Sequence, residues 1–328
     1  MKVLVTGGGG FVGSAVCRML VARGDEVFAL NRSRYPDLAA YGVAQIAGDV
    51  RDGEVVLAAV RGCDAVVHCA AAAGIWGPAR LYEEVNVGGT VNVLKACLRA
   101  RVGRLVHTSS PSVVFDGRDL DGVDESVPYA RRFLAHYPRT KAIAERLVLG
   151  ANSDLLGTVA LRPHLVWGPG DPHFLPRLMK AARRGTFALP RAPGKRIDAV
   201  YVDNAAEAHL LALDAIAPGS DVSGRAYFIG QGEPITHDRW VNALLAAAGM
   251  PAVTRRVPAW SAHMAARAVE GAYRVARVRA EPPITRLLVR QATTAHWFDL
   301  SAARHDLGYV PRVGMIEGMK RLQEHLSA

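Results

Sequence analysis

The sequence predicts an α/β fold, a doubly wound parallel sheet carrying a smaller, interleaved lobe. Three observations predict it. Short apolar runs bounded by turn residues alternate with longer segments of helical period through the first 162 residues, the pattern of βαβ units. The first run, Lys2 to Thr6, feeds a turn with glycines at Gly7, Gly10 and Gly13. At 328 residues and 50% hydrophobic, the chain can also bury a substantial core, as one large domain or a domain with a smaller lobe.

The elements follow in order, beginning with a strand over 2–6 and a helix near 11–23. In the turn between them, Gly7 permits the tight bend, Gly10 removes a side chain where a pyrophosphate approaches, and Gly13 lets helix pack on strand. The first-turn N–H groups of Phe11, Val12 and Gly13 then offer the positive end of the helix dipole to phosphate. This is the dinucleotide turn of a Rossmann-type sheet.

A second strand, 26–30, ends in Asn31-Arg32-Ser33-Arg34. A carboxylate there would bond a ribose 2′-OH; its absence, with Arg32 able to take a 2′-phosphate, favours NADP(H) over NAD(H). The competing reading is a surface Arg pair. A third strand, 43–47, closes on Asp49-Val50, which either flank the adenine or cap the helix near 52–60. The fourth, 64–69, closes on small residues including Ala70, as a cofactor lying across the sheet edge requires.

The helix predicted over 79–100 places Val87, Val91, Leu94 and Leu98 on one buried stripe. Asn86 lies within it, where an Asn is unfavourable, and reads either as a bridge to the sheet backbone or as a polar relay beneath Lys141. The fifth strand, 103–109, ends in Thr108-Ser109-Ser110, and Ser110 is the candidate to bond a substrate oxygen. The helix near 138–150 follows, with Pro138 in its first turn. Tyr137 and Lys141, four residues apart, share one of its faces. The ammonium would stabilise the phenolate, making Tyr137 an acid–base at neutral pH and leaving Lys141 to hold a nicotinamide ribose as well.

A sixth strand spans 157–162, and regularity then weakens through the Pro/Gly-rich stretch Arg162 to Pro172. Ile197 to Val202, with a helix from Asp203, and Ala226 to Ile229 are expected to return to the sheet. The organisation is therefore a core of 1–162 with returns at about 197–230, and a substrate-binding lobe from 163–196 and 231–328. Trp76, His164, Trp167, Phe174 and Trp297 are candidates for an apolar pocket or for ordinary core.

Net charge is +10, from 40 basic and 30 acidic residues. Arg is scattered and no DNA-binding motif occurs, so the expectation is no nucleic acid but an anionic cofactor or substrate. The basic segment 263–290 reads as a solvated helix face or a partner or membrane-surface contact, and Trp260 to Val289 as the cover of a greasy tunnel or a docking surface. No run approaches a membrane span and none resembles a leader, so a cytoplasmic chain is expected, with Cys17, Cys63, Cys69 and Cys97 as free thiols. No metal-type cluster of His, Cys and carboxylates is visible.

With these residues in view, the chain resembles an extended short-chain dehydrogenase/reductase of the 3β-hydroxysteroid dehydrogenase-like branch. The likeness runs through Thr6 to Gly13, Asn86 to Thr90, Thr108 to Phe115, Pro128-Tyr129, Tyr137 to Lys141, and Leu161 to His164 with Gly168 to Asp171. Leu30 to Ser33 with Tyr35-Pro36, Ala73 to Gly77, Glu281 to Arg286, His296-Trp297 and Gly308 to Pro311 are similar to the bacterial 2-alkyl-3-oxoalkanoate reductases of long-chain olefin biosynthesis. Ser110 stands where that group carries Thr, and either hydroxyl donates the same hydrogen bond. The resemblance implies NADPH-dependent reduction of a 2-alkyl-3-oxo acid, a hydrophobic carboxylated substrate, with the product passed on within an enzyme assembly, and a homodimer is a further expectation. Two other readings stay open: a sterol-4α-carboxylate 3-dehydrogenase, which Phe115-Asp-Gly and Arg162-Pro-His164 resemble, and a nucleotide-sugar epimerase on the same fold.

Overall fold

A computed structural model describes residues 1–185 and 187–327. Seven strands build the main sheet: β1 (Lys2–Thr6), β2 (Glu26–Asn31), β3 (Ala44–Ala47), β4 (Ala65–His68), β5 (Arg104–Thr108), β7 (Gly157–Pro163) and β10 (Arg225–Ile229). All pair in parallel, in the order β10-β7-β5-β4-β1-β2-β3. The strand order reverses between β1 and β4, and such a switch point opens a crevice beyond the strand ends where ligands bind. Both faces are covered. Val3 and Val5 pack into one core with Val16 and Ala205, while Leu4 packs into the other with Leu30, Val56 and Val93. Alternating side chains of one strand thus serve both layers.

A second sheet of four strands joins β6 (Leu120–Val123), β9 (Arg196–Ile197), β11 (Ile235–Thr236) and β13 (His296–Phe298) in the order β11-β9-β13-β6. A short pair, β8 (Leu189–Pro190) with β12 (Arg256–Val257), completes the strands. The lobe therefore draws on residues 120–123 as well, ahead of the boundary expected at 162.

Two sequence expectations are corrected. Ala226 to Ile229 does enter the main sheet, beside β7, but Ile197 to Val202 does not. Ile197 pairs with β11 and β13, and the chain then runs beside the segment after β7, with Val200 N–H on the His164 carbonyl (3.0 Å) and Trp167 N–H on that of Val200 (3.1 Å). The buried Asp198 fixes this course by accepting from Gln231 N–H (3.0 Å) and Gly232 N–H (2.9 Å).

The second correction concerns the single helix expected over 79–100. It is a helical turn, Ala79–Tyr82, then a π-helical stretch, Glu83–Gly88, then an α-helix, Gly89–Ala100. A wider turn shifts the phase of everything after it. The buried line becomes Asn86, Thr90, Val93 and Cys97 with Leu94 beside it, as expected, whereas Leu98 is 46% exposed. Among the described residues no helix is long and apolar enough to cross a membrane, and the four cysteines are free thiols.

Candidate active site

The glycine turn lies against the start of the switch-point crevice. Gly7 has φ +68°, and a Cβ on it would stand 2.8 Å from the Ala70 backbone; a Cβ on Gly13 would stand 2.2 Å from the Gly7 carbonyl oxygen. The Phe11–Ala22 helix begins after Gly10 with no side-chain cap and no acidic residue in its first turn. Its first turn therefore brings no anion of its own to the N–H groups there, which fits a pyrophosphate. Asn31, buried at the end of β2, accepts from Gly9 N–H (2.8 Å) and braces the turn, leaving its own Nδ2 without a partner. Gly13→Ala is expected to abolish cofactor binding, because the clash is with backbone that cannot swing aside; titration of NADPH fluorescence would show it.

Arg32 is exposed just beyond Asn31. Asp49 accepts from Arg51 N–H (2.9 Å) and its guanidinium (2.8 Å), and that bonding holds its carboxyl below the usual range. The helix cap is Asp52, which accepts from Glu54 and Val55 N–H, so capping by Asp49 is corrected. Val50 is buried against Gly89, where an added Cβ would meet it at 2.8 Å.

Beyond β4 and β5 the polar groups form a connected set. Asn86 Oδ1 accepts from Ala72 N–H (2.7 Å) while its Nδ2 donates to Thr140 Oγ1 (3.0 Å) and the Ala72 carbonyl (3.3 Å). It clamps the loop after β4 to the His136–Gly150 helix, so it is a structural bridge, though to that loop and not to the sheet backbone as expected, and it touches Lys141's neighbour rather than Lys141. His68, which the sequence reading left without a role, lies between Thr6 (2.7 Å) and Thr90 (3.0 Å). Thr90 donates to the Asn86 carbonyl (2.6 Å), so it must accept the His68 Nε2 proton, and Nδ1 accepts from Thr6. Burial pushes His68 down to about 3, keeping it neutral.

Lys141 is 2% exposed and donates to the Thr108 carbonyl (2.5 Å) and His107 Nε2 (3.1 Å). Burial lowers its pKa to about 8, an effect that the nearby Glu145 carboxylate opposes. Tyr137 is half-buried one turn earlier. Burial raises its phenol, and the nearby Ser110 hydroxyl works the other way. Ser110 accepts from Ser112 N–H (3.2 Å) and Oγ (2.9 Å), so its own proton is left to aim at a neighbouring oxygen. The arrangement gathers a phenol, a hydroxyl and an ammonium at the carboxyl end of β5.

Beneath them lies a group that the sequence reading assigned no role. Glu145, one turn past Lys141 and fully buried, bonds Arg162 (2.7 Å) and the Tyr129 phenol (2.7 Å). The signal was present: a Glu on the Tyr137–Lys141 face, and in Arg162 one charged residue in the strand Gly157–Pro163.

A cavity of about 990 Å³ opens beside Ala135 and His136, just ahead of Tyr137. Of the five expected pocket residues only Trp76 lines it. Trp167 is core, stacked edge-on against Tyr201; Phe174 packs on Trp240; His164 bonds His296 (3.0 Å); and Trp297 lies under Arg196. Residues between Glu270 and Leu287 close the far wall, so the basic stretch is a pocket element and not only a solvated face.

Residues 4–258 match the 3-beta hydroxysteroid dehydrogenase/isomerase family. The chain is 48% identical to the 2-alkyl-3-oxoalkanoate reductase of Stenotrophomonas maltophilia, spanning 100% of both proteins. It is 45% identical to the 2-alkyl-3-oxoalkanoate reductase of Shewanella oneidensis, over 98% of this chain and 85% of that one. It also resembles the solved structure of the UDP-glucose 4-epimerase of Thermus thermophilus in complex with NAD, with a TM-score of 0.72 and 28% identity, covering 100% of this chain and 99% of that one. The chain belongs to the 3-beta hydroxysteroid dehydrogenase/isomerase family and is an NAD(P)-dependent oxidoreductase.

Proposed function

We propose that the protein reduces the 3-keto group of a 2-alkyl-3-oxoalkanoate to the 3-hydroxy acid, using NADPH. The observation that carries this reading is 48% and 45% identity, over 100% and 98% of this chain, to two reductases of that name, since a match that spans the lobe as well as the glycine turn bears on substrate where a shared glycine turn alone does not. A bound nicotinamide supplies the hydride. Tyr137 gives its phenolic proton to the substrate oxygen, and Ser110 shares the charge that develops there. Lys141, anchored on the end of β5, favours the phenolate that Tyr137 becomes. Asn86 and Thr140 hold the helix that carries both. Gly7, Gly10, Phe11, Val12 and Gly13 receive the pyrophosphate, with Asp49, Val50 and Ala70 along the adenosine side. Work in the cytoplasm, as a homodimer that hands its hydroxy acid to a further enzyme, belongs to the same reading.

NADPH is favoured because Arg32, just past the end of β2, pairs with no carboxylate among the described residues and is free to take a 2′-phosphate. Arg32→Ala should raise KM for NADPH about 10-fold, the worth of one charge-assisted hydrogen bond, and leave KM for NADH nearly unchanged. An equal rise for both would remove the contact. The substrate is tested by NADPH oxidation with a long-chain 2-alkyl-3-oxo acid beside NAD⁺ reduction with a 4-carboxysterol. Turnover of the first supports the proposal; turnover of the sterol alone transfers the assignment to the decarboxylating sterol dehydrogenases.

A further inference from the structure

Six arginines line the cavity beside Tyr137: Arg131, Arg139, Arg274, Arg277, Arg279 and Arg286. A single carboxylate, Glu270, lines it with them. The known pairs account for only half of the guanidiniums. Arg139 is held by Glu83, outside the cavity (2.5 Å), while Arg274 (3.3 Å) and Arg286 (2.7 Å) share the buried Glu270. Arg131, Arg277 and Arg279 have no carboxylate within ion-pair distance among the described residues. His136, Tyr273 and Thr285 add polar groups, and Ile75, Trp76, Phe133, Leu134, Val278 and Leu287 supply the apolar wall.

Such a wall suits a ligand with long hydrocarbon arms and one anionic group. Arg277 also has a defined backbone setting. The Ala259–Val275 helix ends with Arg277 N–H on the Arg274 carbonyl (3.1 Å) and Val278 N–H on the Tyr273 carbonyl (2.9 Å), the paired closure in which the residue at Arg277 must be left-handed. Its φ is +50°. The neighbouring Val278 carbonyl accepts from Trp76 Nε1 (3.2 Å), so the helix end that presents Arg277 is tied to the loop after β4 across the cavity.

We infer that Arg277, with Arg131 and Arg279, forms the subsite that receives the carboxylate of the substrate, while the apolar wall takes its alkyl arms. This deepens the proposed function and rests on its carboxylated substrate. Pairing with a guanidinium beside the apolar wall would select the acid over a neutral ester or ketone of the same shape.

The backbone supplies a clean variant. Glycine is the residue best suited to a left-handed position, so Arg277→Gly removes the guanidinium without straining the helix end. Kinetics are read in the oxidative direction, with NADP⁺ and a 2-alkyl-3-hydroxyalkanoate, because that acid does not lose CO₂ spontaneously, and with its methyl ester for comparison. Arg277→Gly should raise KM for the acid about 10- to 100-fold, change kcat little, and leave KM for the ester as in the wild type; Arg277→Lys should recover part of the loss. Equal effects on acid and ester, or none on the acid, would overturn the subsite. Calorimetric titration with 2-hexyldecanoate separates this proposal from the substrate assignment, since it needs no turnover. Binding that is lost in Arg277→Gly upholds the subsite even if the wild type reduces no 3-oxo acid, and binding that is absent in the wild type or unchanged in the variant refutes it.

Discussion

Tyr137→Phe should lower kcat by about 10²- to 10⁴-fold, the range for loss of a general acid, while NADPH affinity stays within a few-fold of the wild type. The substitution removes one oxygen and keeps the ring, so the packing of the His136–Gly150 helix survives. Lys141 survives too, because its bonds go to Thr108 and His107 and not to the phenol. What is lost is the group beside Ser110 that can give up a proton. Steady-state kinetics with a fluorescence titration of NADPH check both halves. Turnover near the wild-type level would take Tyr137 out of the chemistry, and loss of NADPH binding would make it a structural residue of the cofactor pocket.

The second large effect is expected at Glu145, fully buried one turn past Lys141. Glu145→Gln leaves the Arg162 guanidinium buried at 3% exposure without its counter-charge, and breaking such a pair costs about 3–5 kcal/mol. Urea unfolding should show a midpoint lowered to match. The carboxylate also favours the charged form of Lys141. Lysine carries its charge below its pKa and loses it above, and burial has already brought Lys141 down to about 8. If reduction needs the ammonium, kcat/KM is level below about 8 and falls as pH rises through that value. Removing the Glu145 charge should move this descending limb to lower pH. A limb that stays in place while stability falls would confine Glu145 to a structural role.

Local features of the sequence carried much of the fold. The glycine turn, the alternation of strands with helices, and the one-turn spacing of Tyr137 and Lys141 all depend on residues close together in the chain, and apart from the 79–100 helix and Ile197 to Val202 the expected strands and helices formed within a residue or two of their bounds. Asn31 and Ser110 also fell where the strand ends demanded. What escaped was set at long range or by phase. The π-turn at Glu83–Gly88 adds no unusual residue, yet it rotates the following helix enough to bury Cys97 and expose Leu98. Glu145 and Arg162 meet only when helix and strand pack, and Leu120–Val123 finds β13 from far along the chain. Aromatic residues gave the weakest guidance, because Trp167 and Phe174 fill core for the same reason they could have lined a pocket.

The most direct test follows the hydride itself. The protein would be given NADPH deuterated at the transferred C4 position and a long-chain 2-alkyl-3-oxo acid, and the product examined by mass spectrometry. The account predicts one deuterium on C3 of a 2-alkyl-3-hydroxy acid for each NADPH consumed. Consumption without deuterium at C3, or no reaction with any 3-oxo acid while NADPH remains bound, would contradict it.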